Sequence, residues 1–260
     1  SFLLILLLPF SLFMTGCGGG GTTTATSTYR NTIEGVYGTE YNNQVGLAQI
    51  NAVTLNNYGH NGSGVKVAVV DSGIASSHAE FGRTIYGRDF GGSTNGYGSD
   101  EHGHGTHVAG IVGGTYSGVA KAVSLVPVRV LDSCGSGTAT MVRKGLEWIL
   151  ANHQEGERAV VNMSIGFDVS ATTIDTAIRN LMAEGIVVVA ASGNSAKSAC
   201  NTTPAGTPGT ISVGAINTND AETTWSNFGD CVDIFAPGDS IVSAWPKYSS
   251  ATNTYMSESG

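Results

Sequence analysis

The chain has 260 residues, of which 41% are hydrophobic and 37 are glycine, enough for one large α/β domain or two small ones. Only 12% of the residues are charged, and the net charge is −8. So few basic residues argue against a nucleic-acid partner, which needs positive patches to offset its phosphates. The balance fits a soluble, acidic protein outside the cytoplasm, although charge says nothing about fold.

The first segment, residues 2–13, is almost wholly apolar but too short to span a bilayer at ~1.5 Å per residue, which is typical of a signal-peptide core. It ends in Met14-Thr15-Gly16-Cys17, which resembles a bacterial lipoprotein cleavage box. We therefore predict a signal peptide over residues 1–17 with lipid on Cys17; the alternative is a general secretory signal with an incidental cysteine. Either predicts export from a bacterial cell, followed by secretion or lipid anchoring to the envelope. The lipid would be the only membrane contact.

Residues 18–48 contain a Gly/Thr-rich tract and a weakly patterned polar stretch, which predict a flexible tether and a short N-terminal segment. From residue 49 onward, apolar runs alternate with segments of helical periodicity. The predicted strands are 65–71, 123–131, 159–164, 186–191, 210–215 and 231–236. The predicted helices begin near His104 and span 138–153 and 172–183. This alternation predicts an α/β fold with a doubly wound, mostly parallel sheet flanked by helices. Pro127 predicts an edge, or a strand beginning, within the second strand.

Three polar side chains follow predicted strands or begin a predicted helix. Asp71 ends the first strand, His104 opens a glycine-flanked helix, and Asn194 follows the Val187–Ala191 run. Because parallel strands deliver their carboxyl ends to one edge of a sheet, we expect the three to converge there. An acid, a histidine and an amide make most of an acyl-transfer site.

The motifs around these residues resemble those of the subtilisin-like serine proteases, with the nearest likeness to the proteinase K branch. The segments that carry the resemblance are Asp71-Ser72-Gly73, His104-Gly105-Thr106-His107-Val108-Ala109-Gly110 and Ala191-Ser192-Gly193-Asn194. They occur in the family's order and spacing. The resemblance runs from about Gln49 to the last residue, so we expect residues 49–260 to form a peptidase domain.

The resemblance implies a serine endopeptidase that hydrolyses extended polypeptides. In that reading His104 is the general base and later the acid, Asp71 holds its tautomer, and Asn194 donates to the oxyanion. It further implies that backbone segments on both sides of the substrate bind it as an added strand. Those segments are Gly135, Ser136, Gly137, Ser164, Ile165, Gly166, Ala191, Ser192 and Gly193. No charge lies in the last six, so we expect an apolar or aromatic residue before the cleaved bond.

The same resemblance places a structural calcium ion at Pro208, Thr210 and Asp233, a set of hard oxygen ligands. We expect no organic cofactor and a monomer. The resemblance also implies a disulfide between Cys200 and Cys231, consistent with export to an oxidising compartment. With Cys17 lipidated, Cys134 is expected to be a free thiol.

The family's nucleophile belongs to a Gly-Thr-Ser-Met-Ala motif, and Met256-Ser257-Glu258-Ser259-Gly260 resembles the approach to it. We therefore expect the serine two positions beyond Gly260, and assign the role to neither Ser257 nor Ser259. The expectation is a fragment, open at both ends and C-terminally truncated, that hydrolyses peptides barely or not at all. A truncated pseudoprotease is the alternative.

Two other functions stay open at the level of sequence. His102, His104 and His107 have a spacing found in zinc sites and allow a metal-dependent hydrolase. Alternatively, the protein is a non-catalytic surface lipoprotein that only binds peptide.

Overall fold

The computed structural model describes residues 4–5, 45–92, 98–246 and 254–260. Apart from Leu4–Ile5 and residues 45–48, the predicted signal peptide, tether and lipidation site at Cys17 lie outside this part of the chain. None of the described helices is both long and apolar enough to cross a membrane.

The centre of the fold is a seven-stranded parallel sheet in the order β3-β4-β2-β5-β7-β8-β9. These strands are β2 Lys66–Asp71, β3 Arg88–Asp89, β4 Ser124–Arg129, β5 Ala159–Met163, β7 Val187–Ala191, β8 Ile211–Ile216 and β9 Ile234–Pro237. Two short antiparallel pairs complete the strands. They join β1 Leu4–Ile5 to β6 Gly166–Phe167, and β10 Ile241–Trp245 to β11 Thr254–Glu258.

Five α-helices are described: α1 Val45–Gln49, α2 Ala52–Asn57, α3 His104–Gly113, α4 Ala139–Asn152 and α5 Thr172–Ala183. Short 3₁₀ turns occupy Ala79–Phe81 and Ala199–Asn201. The predicted mostly parallel α/β sheet with flanking helices is confirmed, and every predicted strand and helix is present within a few residues of its expected ends.

The hydrophobic core lies in two layers, one on each face of the sheet. On one face α4 buries Val142, Leu146 and Ile149, and α5 buries Ile174, Ile178 and Leu181. On the other face α3 packs Val108 and Ala109 against Val67 and Val69 of β2. Because small residues fill α3, this helix sits close to the sheet and begins beside the end of β2.

Pro127 lies in the middle of β4, between β3 and β2 in the sheet. The carbonyls of Leu125 and Arg129 point away from β2 and accept hydrogen bonds from the N–H groups of Ile85 and Phe90. Pro127, midway between them in the strand, directs its backbone to the same side. Because the backbone of Pro127 faces away from β2, its missing N–H removes no ladder bond to β2. Within the described chain β3 pairs only with Val128 and Arg129, so no ladder bond to β3 is lost either. The prediction that Pro127 marks an edge strand or the beginning of a strand is therefore wrong, because β4 is an inner strand of the sheet and Pro127 lies in its middle.

The Cys200–Cys231 disulfide is present and joins the segment before β8 to the segment before β9. The expectation of a free thiol at Cys134 is wrong, because Cys134 is disulfide-bonded. It lies exposed on the loop after β4.

Candidate active site

The structure brings together Asp71, the last residue of β2, and His104, the first residue of α3. The His104 Nδ1 lies 2.8 Å from Asp71 Oδ1 and 2.9 Å from Oδ2. Asp71 is fully buried, and its Oδ1 also accepts the Ser72 N–H at 2.7 Å. Because Nδ1 carries the proton shared with the carboxylate, the opposite nitrogen, Nε2, is left as the proton acceptor.

The electrostatics of the pair favour the imidazolium. Burial is the largest single influence on the pKa of His104 and lowers it, but the charge and hydrogen bond of Asp71 raise it, with smaller contributions from Glu258 and Asp100. Together the carboxylates outweigh burial, and the pKa of His104 lies above its ordinary value. This arrangement stabilises a proton that arrives at Nε2.

Asn194 follows β7 and presents an amide with no described partner. Its Nδ2 is buried and makes no hydrogen bond among the described residues. A buried donor without an acceptor is uncommon in a folded protein and needs an explanation. An acceptor supplied by a ligand would provide one.

The loop that holds Asn194 is itself braced by Asn227, which is fully buried. The Asn227 Nδ2 donates to the Ser192 carbonyl at 2.9 Å, and its Oδ1 accepts the N–H groups of Ser195 and Lys197 at 2.9 and 3.2 Å. Gly193 has φ 114°, and a Cβ there would lie 2.1 Å from Asn227 Nδ2. Only glycine fits this backbone and this approach, which is why the amide of Asn194 is presented from an Ser-Gly-Asn sequence.

A cavity of ≈ 120 Å³ joins His104 to residues of four other segments. Its lining includes Ser164 after β5, Ala191 at the end of β7, and Glu258 and Gly260 at the end of the chain. Ile165 and Ser192 are buried, with 0% and 2% of each residue exposed, and neither is among the residues that line the cavity.

The predicted segment Gly135-Ser136-Gly137 forms a tight turn after β4. Asp132 Oδ1 accepts the N–H groups of Cys134 and Ser136 at 2.8 and 3.0 Å, and the Asp132 N–H donates to the Ser136 carbonyl. Ser136 is exposed. This turn is not among the residues that line the His104 cavity.

The three histidines of the proposed metal cluster do not converge. His104 is bound to Asp71, and the His102 Nδ1 accepts the His104 N–H at 3.4 Å. His107 is buried, with its Nε2 3.0 Å from the Ile241 carbonyl and 3.1 Å from the Met256 carbonyl. No group of three His, Cys, Asp or Glu residues in the described chain is arranged to hold a metal. The metallohydrolase interpretation is unsupported, since each imidazole already has a separate structural task.

His107 ties the site to the last two strands. Burial, and then the neighbouring charge of His104, lower the pKa of His107 to about 4, although its bonds to Ile241 and Met256 act in the opposite direction. The neutral ring therefore joins α3 to both strands of the β10–β11 pair. Ser243 adds a second link by donating its Oγ–H to the His107 carbonyl at 2.7 Å.

Glu258 is one of the site residues that were not predicted from the sequence. It ends β11, lines the His104 cavity and is half-buried. Burial raises the pKa of Glu258, while the charge of His104 acts to lower it. The antiparallel register pairs Glu258 with Ile241, and no local pattern announced that pairing.

Neither serine near the end of the described chain is a hydrogen-bond partner of the imidazole. Ser259 Oγ accepts the Ser240 N–H at 2.8 Å and donates to Asp239 Oδ1 at 3.1 Å. Ser257 is exposed. Ser259 also lines the His104 cavity, and neither serine is assigned the role of nucleophile.

The parallel sheet, with a buried aspartate and a histidine joined at its carboxyl edge, defines the subtilisin-like class of α/β proteins. The chain belongs to the Subtilase family of S8 peptidases, whose family model matches residues 62–260.

The chain is similar to several proteinases. It is 49% identical over 201 residues to an extracellular serine proteinase of Thermus sp. (strain Rt41A), covering 76% of this chain and 47% of that protein. It is 44% identical over 202 residues to alkaline serine exoprotease A of Vibrio alginolyticus, covering 76% and 37%. Subtilisin E of Bacillus subtilis is 40% identical over 209 residues, with 77% and 54% covered. The chain thus spans about half the length of these curated relatives.

A solved structure shows the same fold. The crystal structure of a cold adapted subtilisin-like serine proteinase matches with a TM-score of 0.69 and 41% identity. The match covers 77% of this chain and 70% of that one.

Proposed function

We propose that the full-length gene product is a serine endopeptidase of the proteinase K branch, with Asp71 and His104 as two members of its triad. The observation that carries the proposal is the buried Asp71 carboxylate, 2.8 Å from the Nδ1 of His104, a histidine that lines the cavity. The nucleophile in this proposal is a serine that follows Gly260, and two features support that placement. Gly260 lines the His104 cavity, and residues 256–260 resemble the approach to the family's serine motif.

The reaction in this proposal is acyl transfer. A serine hydroxyl attacks the peptide carbonyl while His104 Nε2 takes its proton, and Asp71 stabilises the resulting imidazolium. The carbonyl oxygen becomes an oxyanion that accepts the otherwise unpartnered N–H of Asn194. His104 then passes the proton to the leaving amine, and water repeats the sequence to release the acid.

The first experiment tests this reaction class in the full-length gene product. A serine-directed phosphonate is expected to abolish peptide hydrolysis, while a transition-metal chelator leaves it intact. Mass spectrometry of the labelled protein then locates the modified residue. Label on Ser257 or Ser259 overturns the proposed nucleophile, and a phosphonate-insensitive activity overturns the serine mechanism. A folded protein that binds peptide and hydrolyses none favours the peptide-binding alternative.

The proposed substrate is an extended polypeptide with an apolar or aromatic residue before the cleaved bond. The wall of the cavity contributed by Ser164 and Ala191 carries no charge, so a cation buried against this wall has no partner there. The one carboxylate in the lining, Glu258, lies at the end of β11. In a panel of chromogenic peptides that differ only at this residue, Phe and Leu are expected to give a higher kcat/KM than Lys or Arg by at least about tenfold. A strict preference for Lys or Arg contradicts the proposal.

A structural calcium ion is proposed at Pro208, Thr210 and Asp233, which lie where the chain enters β8 and β9. The donor set fits a hard cation. Asp233 is exposed and uses its Oδ2 to accept the Ser212 N–H at 2.8 Å, and the buried Thr210 Oγ1 has no partner in the described chain. Asp233 would supply a carboxylate oxygen, and the other two residues backbone oxygens.

Removing calcium is expected to lower the melting temperature, because a ligand that binds only the folded state stabilises it. Calorimetry with and without EGTA measures the shift. The Asp233→Asn variant should melt lower in calcium and should respond less to EGTA than the parent protein. An EGTA-insensitive parent protein removes calcium from the proposal.

We propose that the protein acts outside the cytoplasm, as a monomer. The Cys200–Cys231 disulfide supports an oxidising compartment. The relative in Thermus sp. is an extracellular proteinase by name.

A further inference from the structure

We propose that Asp100 is a positioning residue that sets the geometry of the Asp71–His104 pair, an inference that rests on the proposed serine-protease function. Asp100 lies four residues before His104, outside the motifs that carry the family resemblance. Its carboxylate joins the end of β2 to the first turn of α3, the two segments that supply the pair.

The Asp100 carboxylate accepts five hydrogen bonds. Its Oδ1 accepts from Ser72 Oγ at 2.9 Å, from the His102 N–H at 2.9 Å and from the Gly103 N–H at 2.8 Å. Its Oδ2 accepts from the backbone N–H of Thr106 at 2.9 Å and from the Thr106 Oγ1 at 2.5 Å. Every partner is a donor, so only an ionised carboxylate satisfies the whole set. A negative charge at the start of a helix is also favoured by the helix dipole.

Ser72 extends the connection to the aspartate of the pair. Its Oγ, which donates to Asp100, accepts the Gly105 N–H at 2.9 Å, and its N–H donates to Asp71 Oδ1 at 2.7 Å. One residue thus touches Asp71, Asp100 and the residue after His104. The relative position of the carboxylate and the imidazole is therefore fixed by bonds that do not involve either reacting nitrogen of the ring.

The loop that carries Asp100 is held from below by a buried cation. Arg129, 1% exposed, donates from Nη1 to the Ser99 carbonyl at 2.6 Å and from Nη2 to Glu101 Oε2 at 3.0 Å. Its Nε donates to the Leu131 carbonyl at 3.0 Å. Both neighbours of Asp100 in the chain are therefore hydrogen-bonded to Arg129 at the end of β4, which fixes the position of Asp100.

Asp100 also acts on His104 through its charge. The ionisable groups that influence the imidazole are Asp71, Asp100, Glu258, His102 and His107. Asp100 raises the pKa of His104, in the same direction as Asp71 and Glu258. Neutralising Asp100 therefore removes a stabilising influence on the imidazolium, and the pKa of His104 falls.

The test replaces Asp100 by asparagine in the full-length gene product. The amide turns two donors toward groups that are themselves donors, and a misplacement of about 1 Å costs on the order of 10²-fold in rate. We expect kcat to fall by roughly 10- to 100-fold while KM stays within about threefold. The pKa of His104, followed by the NMR shifts of its ring in the resting protein, should fall, and the acid limb of kcat should move to lower pH.

Two further variants separate geometry from charge and from folding. Asp100→Glu keeps the charge but not the bond lengths, and should lower kcat with little change in the pKa of His104. Ser72→Ala removes only the Oγ that joins Asp100 to the Gly105 N–H, and should give a smaller loss of kcat than Asp100→Asn. This variant is expected to fold even if Asp100→Asn does not.

Asp175→Asn is the matched control. Asp175 is a residue of α5 whose Oδ1 accepts the hydroxyls of Thr203 and Thr207 at 2.9 and 2.7 Å, so its loss removes carboxylate hydrogen bonds outside the Asp100 loop and should affect stability alone. Parent-like kcat and His104 pKa in Asp100→Asn and Ser72→Ala overturn the positioning role, as does an equal effect in Asp175→Asn. If the parent protein does not react with the phosphonate, the proposed serine-protease function is wrong. The NMR titration of His104 still measures the effect of Asp100 on the imidazole in that case.

Discussion

Replacing Asp71 by asparagine in the full-length gene product is expected to lower kcat by roughly 10⁴-fold with little change in KM. The amide has nearly the size of the carboxylate, and its oxygen can still accept the Ser72 N–H. Its NH₂ group then faces His104 Nδ1 and stabilises the tautomer that carries the proton on Nε2. That tautomer cannot accept the proton of an attacking hydroxyl, so the residual rate comes from binding and oxyanion stabilisation alone.

The same substitution has a pH signature with a defined sign. Burial lowers the pKa of His104, and Asp71 is the largest influence that raises it. Removing the charge therefore lowers the pKa, so the neutral ring persists to lower pH and the acid limb of kcat/KM moves in that direction. The profile is measured with one peptide substrate under conditions in which the protein stays folded.

Asp175→Asn serves as the control for Asp71→Asn. Asp175 lies in α5, and its Oδ1 accepts the hydroxyls of Thr203 and Thr207 at 2.9 and 2.7 Å. This variant therefore loses carboxylate hydrogen bonds comparable to those of Asp71, but outside the His104 site. It should melt lower and keep the parent pH profile. A fall of less than about tenfold in kcat for Asp71→Asn removes Asp71 from the triad.

The Asp71–His104 pair was predictable because it depends on patterns that are local in sequence. A buried apolar run that ends in an acid predicts where β2 delivers Asp71, and the glycines around His104 predict the start of a helix. In a parallel sheet such ends meet at one edge, so no long-range contact had to be known. Helices α4 and α5 were predictable for the same reason, since helical periodicity is also local in sequence.

The features that sequence reasoning missed depend on contacts between distant segments. Glu258 reaches His104 only because β11 pairs antiparallel with β10 and His107 binds the Met256 carbonyl. Asp100 lies three residues before Gly103, the N-cap of α3, so no local capping signal marks it, and its bond to Ser72 spans 28 residues. Cys134 was wrongly expected to be free because a count of cysteines leaves their pairing undetermined.

Asn194 was predictable in one respect and not in another. Its place after β7 was readable from the sequence, whereas the absence of a described partner for its buried Nδ2 required the fold. An unpaired buried donor costs stability in the resting protein. A donor already aimed and desolvated needs no reorganisation when an oxyanion forms, which is the condition for strong electrostatic catalysis.

We therefore expect Asn194→Ala to lower kcat by roughly 10²- to 10³-fold, with KM nearly unchanged, while the free energy of unfolding stays the same or rises. Asn227→Ala is the contrasting variant, since it removes one donated and two accepted bonds from the same loop and should be destabilised by about 1–3 kcal/mol. Steady-state kinetics and chemical denaturation of both variants measure the two effects. If Asn194→Ala loses stability as Asn227→Ala does, its amide is a structural bond in the resting protein; if it keeps full kcat, the oxyanion is stabilised elsewhere. Loss of rate without loss of stability is the outcome expected of a group whose partner exists only in the transition state.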